Sequence, residues 1–260
     1  MDSLPGMPPG EKMTVPMSDD IFLSVIIPAY NESANISGTL AEVADYLSSK
    51  TFRSEVIVSD DGSWDDTVDK ALTFAPRIKD LHAIRTSPNR GKGHAVRKAM
   101  LEARGKYRLF MDADNSTSVK EFDKFLPLLE EGFGVVIGSR RMIGSKVTLR
   151  EPSARIFLGQ IYIFLANVLL GCGVMDVNCG FKAFSSEAAE RLFSAQRMDG
   201  WSMDAELLFL AGKYGIAVRE VPVEWAHKSA TSKVRPIRAG IQSFSALMKI
   251  RRNDLSGMYS

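Results

Sequence analysis

From Phe22 onward, apolar β-branched runs alternate with stretches of helical period. "LSVIIPAY" reads as a buried strand, and in "ESANISGTLAEVADYLSS" the residues Ile36, Leu40, Val43 and Leu47 recur at the spacing of one helix face. "EVIVSDDGS" predicts a second strand ending in a turn, after which Asp65 or Asp66 can cap a helix whose apolar side carries Val68, Ala71 and Leu72. "LHAIRTS", a helix from about Lys92 to Ala103, and "KYRLFMDAD" repeat the unit. Strand and helix in alternation imply a mostly parallel sheet covered on both faces.

Beyond Phe133 the regularity loosens. "GVVIGSRR", "NCGFKAFS" and "AVREVPVEW" read as further strands, and "SMDAELLFLAGKYG" as a helix with Met203, Leu207, Leu210 and Ala211 on its apolar face. Ile156 to Val174 is an uncharged apolar stretch at the lower edge of membrane-spanning length, about 17 to 25 residues. A buried or interfacial helix is the preferred reading, since no second such stretch occurs. Pro236 to Arg252 forms a last, basic amphipathic helix.

Composition narrows the picture. The chain has 260 residues, 45% of them hydrophobic and 25% charged, as in a soluble globular protein with one sizeable core. A net charge of only +2 argues against nucleic acid as a partner, although from Ala226 to Arg252 there are seven Lys or Arg and no acid. Two cysteines and three histidines, scattered, make neither a disulfide framework nor a zinc pattern, and point to a reducing compartment. Residues 1–20 lack the basic start and apolar run of a secretory signal and read as a flexible lead-in. The expected organisation is then a main domain over 21–226, followed by a basic loop, helix and tail over 227–260.

In parallel sheets ligands collect at the carboxyl ends of the strands. Three such ends are polar here: "PAYNE" with Tyr30, Asn31 and Glu32, "SDDGSWDD" with Asp60 and Asp61, and "DADNST" with Asp112 and Asp114. If the strand continues through Asp112 and Asp114, both carboxylates face one side and can hold Mg²⁺ or Mn²⁺. A strand-end turn explains the same residues without a ligand; three such ends in one domain favour a site, and their acids suit the base and ribose of a nucleotide. In "SPNRGKGHAVRKA", Gly91 and Gly93 indicate a backbone in close approach to something at a helix start, with Arg90 and Lys92 adding positive charge. The spacing is not that of a phosphate-binding Walker loop, and His94 is not expected to be a catalyst. "GSRR" sets Arg140 and Arg141 at another strand end, a guanidinium pair suited to phosphate or simply a solvated surface.

Taken in order, "LSVIIPAYNESANI", "VIVSDDGSWDDT", "NRGKGHAVRKAM", "LFMDAD", "VIGSR" and "NCGFKAF" resemble the motifs of family 2 glycosyltransferases, in particular the dolichyl-phosphate glucosyltransferase and mannose synthase group. The resemblance covers about residues 22 to 252. It implies a GT-A fold, a Rossmann-like, mostly parallel α/β sheet flanked by helices, with a C-terminal amphipathic helix that associates with membrane. It further implies that Pro28, Ala29, Tyr30, Glu32, Asp60 and Asp61 hold the nucleotide and that Lys92 lies near the donor. Asp112 and Asp114 would form the metal motif, with Asp114 the direct ligand, and Arg140 would neutralise phosphate. Where the mannose synthases continue "DADLQ" or "DADLS", this chain has "DADNST", which leaves the roles of Asn115, Ser116 and Thr117 open.

"WSMDAELLFLA", "CGFK" and "VPVEW" resemble the glucosyl branch, so UDP-glucose is the expected donor, ahead of GDP-mannose and UDP-N-acetylglucosamine. Asp204 is placed near the sugar or acceptor, whereas Glu206, two residues on along a helix, points elsewhere. A polyprenyl or dolichyl monophosphate is the expected acceptor, attacking the anomeric carbon of the donor with inversion, and His227, Lys233 and Arg235 are expected to serve the two phosphate groups. Ile241, Phe244, Leu247 and Met248 are expected to face an anionic bilayer, the alternative being a surface helix docked on the domain with its lysines and arginines solvated. The protein is thus expected to sit peripherally on the cytosolic face of a membrane, as a monomer or homo-oligomer. The competing readings are a soluble polysaccharide transferase and a non-catalytic nucleotide-sugar-binding protein.

Overall fold

The computed structural model describes residues 20–148, 153–226 and 236–260, with the backbone alone at 153–155 and 236–243. In chain order the first half contains β1 (Leu23–Ala29), α1 (Ile36–Ser48), β2 (Ser54–Asp60), α2 (Thr67–Leu72), β3 (Leu81–Arg85), α3 (Lys92–Glu102), β4 (Tyr107–Met111) and α4 (Phe122–Glu130). The second half contains β5 (Val135–Ser139), β6 (Lys146–Val147), α5 (Ser153–Leu170), β7 (Phe181–Ser185), α6 (Ser186–Ala195), α7 (Met203–Lys213), β8 (Val218–Pro222), β9 (Glu224–Trp225) and α8 (Pro236–Leu255).

Seven strands form one sheet in the order β3-β2-β1-β4-β7-β5-β8, and β6 pairs with β9 in a separate ribbon. β1 lies between β2 and β4, parallel to both, with Leu23 opposite Ser54 on one side and Tyr107 on the other. Their carboxyl ends therefore share one rim, to which β5 and β8 also point. β7 runs against both of its neighbours, so the same rim receives its beginning, next to Gly180. The sheet is mostly parallel, as the sequence pattern implies; the reversed strand is the departure, because a hydrophobic run carries no sign of its direction.

Period-two alternation divides each strand between two cores. Ile26, Ile57, Phe110 and Ile137 face one cluster, completed by Val96 and Met100 of α3, Leu192 of α6, and Leu207 and Leu210 of α7. Val25, Ile27, Val58, Leu109 and Val136 face the other, completed by Leu40 and Val43 of α1 and Phe122 and Phe125 of α4. Every residue from Met203 to Ala211 is buried, so α7 is enclosed on all sides rather than along the one face its spacing indicated. The expected apolar face of α2 holds at Ala71, but Leu72 is exposed.

α8 also departs from expectation. Leu247 and Ile250 are fully buried and belong to the core beside α7, while Phe244 and Met248 are exposed. Leu247 thus packs against protein, not outward. α5 buries Ala166 and Leu170 and leaves Phe157, Ile161, Phe164 and Val168 at the surface. Among the described residues no helix is long and apolar enough to cross a membrane.

At the rim opposite the strand ends, the almost fully buried carboxylate of Glu55 ties three segments together. It accepts from Ser24 Oγ at 2.6 Å, from the backbone N–H of Arg104 at 2.6 Å and from the Arg104 guanidinium at 2.9 Å. Burial alone would raise its pKa, but the Ser24 and Arg104 hydrogen bonds outweigh it and hold the group below the ordinary carboxylate value. A depressed folded-state pKa contributes stability that is present above the ordinary value and lost as pH falls through the lower one. Glu55→Gln should therefore lower the unfolding free energy at neutral pH by about 2 kcal/mol in denaturant titrations. The difference from the parent should shrink as the pH is taken below 4.5, the ordinary value for this group.

Candidate active site

The loops after β1 and β2 are stitched to each other before any ligand is considered. Asn31, in the left-handed region at φ 53°, donates its N–H to Ser63 Oγ at 2.8 Å, and its side-chain oxygen accepts from Trp64 N–H at 3.0 Å. Glu32 N–H donates to Thr67 Oγ1 at 2.9 Å and Ser33 N–H to Asp65 Oδ2 at 3.3 Å. Asp65, rather than Asp66, serves the start of α2: its carboxylate takes both the N–H and the hydroxyl of Thr67. Glu32 Oε2 accepts from Asn35 at 2.7 Å, and Pro28, Ala29 and Tyr30 complete the rim, the last with its ring 40% exposed.

Asp60 and Asp61 are both buried. Asp60 accepts from Ser63 N–H and lies 3.3 Å from the Arg85 guanidinium. Asp61 accepts from the N–H groups of Arg90 at 3.0 Å and Gly91 at 2.6 Å. These carboxylates shape the rim through protein donors, so a nucleotide would meet loops that they hold in place.

Gly91 and Gly93 are closely approached, as their sequence indicated, by the chain's own segment at 198–200. A Cβ at Gly91 would come 2.5 Å from Asp199 O, and one at Gly93 2.4 Å from Met198 O. Gly91 also has φ 114°, which a larger residue rarely adopts. The start of α3 is pinned in this way, and it carries Lys92.

Lys92 Nζ lies 2.5 Å from Asp112 Oδ1 with its side chain only 11% exposed. Burial opposes its charge, but Asp112, then Asp204 and Asp114, more than offset it and raise the pKa above the ordinary lysine value. Its ammonium also stands 5.3 Å from the ring centre of Phe110 and 5.0 Å from that of Trp201. Asp204 is paired 2.6 Å from the buried Lys182, which also donates to Cys179 O. Sequence reasoning missed Lys182; its place in "CGFK", opposite an acid on a buried helix, was the available signal.

β4 ends at Met111, so Asp112 and Asp114 sit in a turn, not on a continuing strand, and the same-side argument from strand period does not apply. Asp112 is engaged by Lys92. Asp114 Oδ1 accepts from Ser116 N–H at 2.9 Å, and among the described residues no other hydrogen bond engages its carboxylate. Asn115, at φ 51°, donates to Glu42 of α1 at 2.5 Å, turning its amide nitrogen away from the rim. Asn115 Oδ1 and Ser116 Oγ are buried without a hydrogen-bond partner among the described residues. Free oxygen at Asp114 and Ser116 is a donor set that suits a hard cation. No group of three or more His, Cys, Asp or Glu among the described residues could hold a metal by itself. A cation here would draw further oxygens from phosphate and water.

Arg140 reaches the rim from β5 and is held by Asp176, with Nε to Oδ2 at 2.7 Å and Nη2 to Oδ1 at 2.9 Å. Burial would raise the Asp176 pKa, but Arg140 keeps it below the ordinary range. Glu220 on β8 accepts from Asp176 N–H and fixes that loop. The Arg140 guanidinium lies 5.4 Å from the ring centre of Trp225. Asp176 was not singled out in the sequence. His94 is nearly buried, with its pKa lowered chiefly by burial, and Cys172 and Cys179 are buried free thiols pushed up by burial to about 12. None of these three is prepared for nucleophilic or proton-transfer work. His227, Lys233 and Arg235 lie outside the described residues.

The mixed α/β architecture, a seven-stranded central sheet flanked by helices, has GT-A-like neighbours among solved structures. Mannosyl-3-phosphoglycerate synthase from Rubrobacter xylanophilus superposes with a TM-score of 0.70 over 91% of this chain and 75% of its own, at 18% identity. Glucosyl-3-phosphoglycerate synthase from Mycobacterium tuberculosis, solved with Mn²⁺, UDP and glucosyl-3-phosphoglycerate, gives 0.63 over 88% and 80%, at 22% identity. These likenesses concern the fold. In sequence, residues 24–193 match the profile of Glycosyl transferase family 2, and the chain belongs to that family. It is a glycosyltransferase. Dolichyl-phosphate beta-glucosyltransferase of Dictyostelium discoideum is 33% identical over 253 residues, 93% of this chain and 77% of that protein. The protein of the same name from Homo sapiens is 32% identical over 270 residues, 96% and 82% of the two chains.

Gly180 makes room for the Asp112 carboxylate: a Cβ there would lie 1.8 Å from Asp112 Oδ2, while Gly180 O accepts from Asp112 N–H at 3.1 Å. Gly180→Ala should cost about 2 kcal/mol of stability by overpacking this contact. In an Asp112→Ala background the added methyl has no carboxylate to displace, so denaturant unfolding of the four proteins should give a clearly smaller cost there.

Proposed function

We propose that the protein transfers glucose from UDP-glucose to a dolichyl or related polyprenyl monophosphate, with inversion at the anomeric carbon. The match to dolichyl-phosphate beta-glucosyltransferases along nearly the whole chain carries this reading. The rim supports it with acids, a buried lysine and an arginine disposed about one edge of the sheet. Asp114 is the residue proposed to hold Mg²⁺ or Mn²⁺, with Ser116 close by and Asp112 kept in place by Lys92. When bound, such an ion would offset the charge that develops on the departing diphosphate.

The acceptor simplifies the chemistry. A phosphomonoester has its second pKa near about 6 and is already largely ionised at neutral pH, so a strong general base is not required. One phosphate oxygen forms a bond to the anomeric carbon as the bond from that carbon to the diphosphate oxygen breaks, and UDP leaves. The protein's part is to align the two partners and to set fixed positive charge against the diphosphate. Tyr30, Glu32 and the loops held by Asp60 and Asp61 receive the nucleotide in this reading, with Pro28 and Ala29 shaping the rim. Lys92 and Arg140 face its phosphates, and the Asp204–Lys182 pair lies on the sugar side. Ala226 N–H donates to Ser116 O at 2.8 Å, beside the Asp114 turn; His227, Lys233 and Arg235, outside the described residues, are proposed for the acceptor phosphate on their charge alone.

A lipid acceptor implies work at a membrane surface. Phe157, Ile161, Phe164 and Val168 follow one another at about one helical turn along α5 and are 40–66% exposed, which makes an apolar stripe suited to the bilayer interface. We place the protein peripherally on the cytosolic face. A soluble polysaccharide transferase would not need this stripe.

Incubation with Mg²⁺ or Mn²⁺, labelled UDP- and GDP-sugars and a short polyprenyl phosphate should give a labelled lipid from UDP-glucose. Nucleotide binding without any lipid product would sink the proposal. Asp114→Ala should lower transfer by at least about a hundredfold while leaving the unfolding midpoint nearly unchanged. The double variant Phe157→Ser/Phe164→Ser should sediment less with anionic lipid vesicles and keep its affinity for UDP; equal sedimentation would remove α5 from the membrane contact.

A further inference from the structure

The 198–200 segment, which packs against the start of α3, is itself held from behind. Arg197 N–H donates to Glu206 Oε1 at 2.9 Å and Met198 N–H to Oε2 at 2.8 Å. Gln196, fully buried, donates to both Gly93 O at 2.9 Å and Met198 O at 2.8 Å. His94 N–H donates to Asp199 O at 3.0 Å, and Arg90 pairs with Asp199 at 3.2 Å. Glu206 is therefore the anchor of a segment with no room to shift against Gly91 and Gly93.

Glu206 is fully buried, and burial raises its pKa above the ordinary carboxylate value although its hydrogen-bond donors oppose the shift. Besides the two N–H groups it has, among the described residues, one side-chain donor, the hydroxyl of Tyr259 at 2.5 Å. Tyr259 is 1% exposed, in the turn after α8, where Asn253 donates to its hydroxyl and Tyr214 to its carbonyl. A residue far along the chain from every motif thus completes the shell of an acid that fixes the Lys92 turn.

We propose that Tyr259 is a positioning residue for the donor side of the active site, acting through Glu206 and the 197–200 segment on the turn that carries Lys92. The proposal rests on the nucleotide-sugar reading given above and adds to it a link from α8 to the donor loops. The function of Tyr259 is then distinct from holding α8 to the domain. Lys213, which pairs with Asp254 at 2.5 Å, also joins α8 to α7 but makes no hydrogen bond or ion pair with Glu206 among the described residues, and so supplies the control.

The parent chain, Tyr259→Phe and Lys213→Met can be compared by calorimetric titration with UDP-glucose and Mn²⁺, by polyprenyl phosphate kinetics, and by amide hydrogen exchange over residues 90–95 and 196–200. In Tyr259→Phe the dissociation constant and KM for UDP-glucose should rise about fivefold, with kcat and the KM for the lipid little changed. Exchange should quicken at the Met198 and His94 amides. Lys213→Met should lower the unfolding midpoint by a similar amount and leave donor affinity and both amides as in the parent. Equal exchange at these amides in Tyr259→Phe and parent would overturn the brace, whatever the substrate. A parent that binds no UDP-sugar would instead overturn the donor reading and, with it, the role of Tyr259 in donor binding. Quickened exchange of the same size in both variants would reduce Tyr259 to a fold contact and overturn the proposal.

Discussion

A lysine ammonium with almost no access to water stays charged only beside carboxylates, and the arrangement of this site follows from that demand at Lys92. Asp112 meets it directly, and Asp114 and Asp204 contribute at longer range. To bring Lys92 there, α3 must begin at the rim, which requires Gly91 and Gly93 against the 198–200 segment and Asp61 accepting from the Arg90 and Gly91 amides. To bring Asp112 there, β4 must leave the sheet beside β1 just after Phe110 pairs with Ile26, and Gly180 must lack a side chain. The two cores on either side of the sheet keep these ends in register. The same reasoning separates the two acids of "DADNST": the one committed to lysine keeps the site electrically assembled, and the one with spare oxygen is available to a cation.

Much of the fold was legible because buried parallel strands are written as unbroken runs of Val and Ile, and because helices between them show one apolar face. Direction was not legible, which is why β7 gave no sign of running backwards. Nor was the fate of the last helix. Phe244, Leu247 and Met248 read alike as an outward apolar face, yet Leu247 is fully buried, since three apolar residues within two turns cannot indicate which of them meets the protein. The strand ends that gather the acids could be found from the sequence. The duties of those acids could not, because a carboxylate bonded to a backbone N–H, such as Asp61, has the same letter as one left open to a ligand. Asp176 and Lys182 escaped for a related reason: each acts through a partner distant in sequence.

The membership in Glycosyl transferase family 2 and the geometry bear on different questions. The sequence relationship says what kind of reaction is carried out. The structure shows how charge is arranged at the rim: Arg140 is oriented by Asp176, which Glu220 holds in turn, so the arginine reaches the rim with its direction already fixed. In the reading proposed above, an arginine held by its own acid would meet phosphate with less conformational freedom to lose than a solvated one.

The reversed strand has a consequence for how the molecule is assembled. Parallel strands deliver only their ends to a rim, so every loop there must be followed by a helix that carries the chain back beneath the sheet. By entering at the rim, β7 delivers a strand's beginning, and the stretch from α5 through Cys179 reaches the site without such a return. The rim is consequently made of two kinds of segment: short turns locked between strand and helix on the side of β1, β2 and β4, and one long approach on the side of β5 and β7. Length and shape can vary in that approach without rethreading the sheet, so the geometry leaves one half of the cleft open to change while the other half is fixed by its own connections.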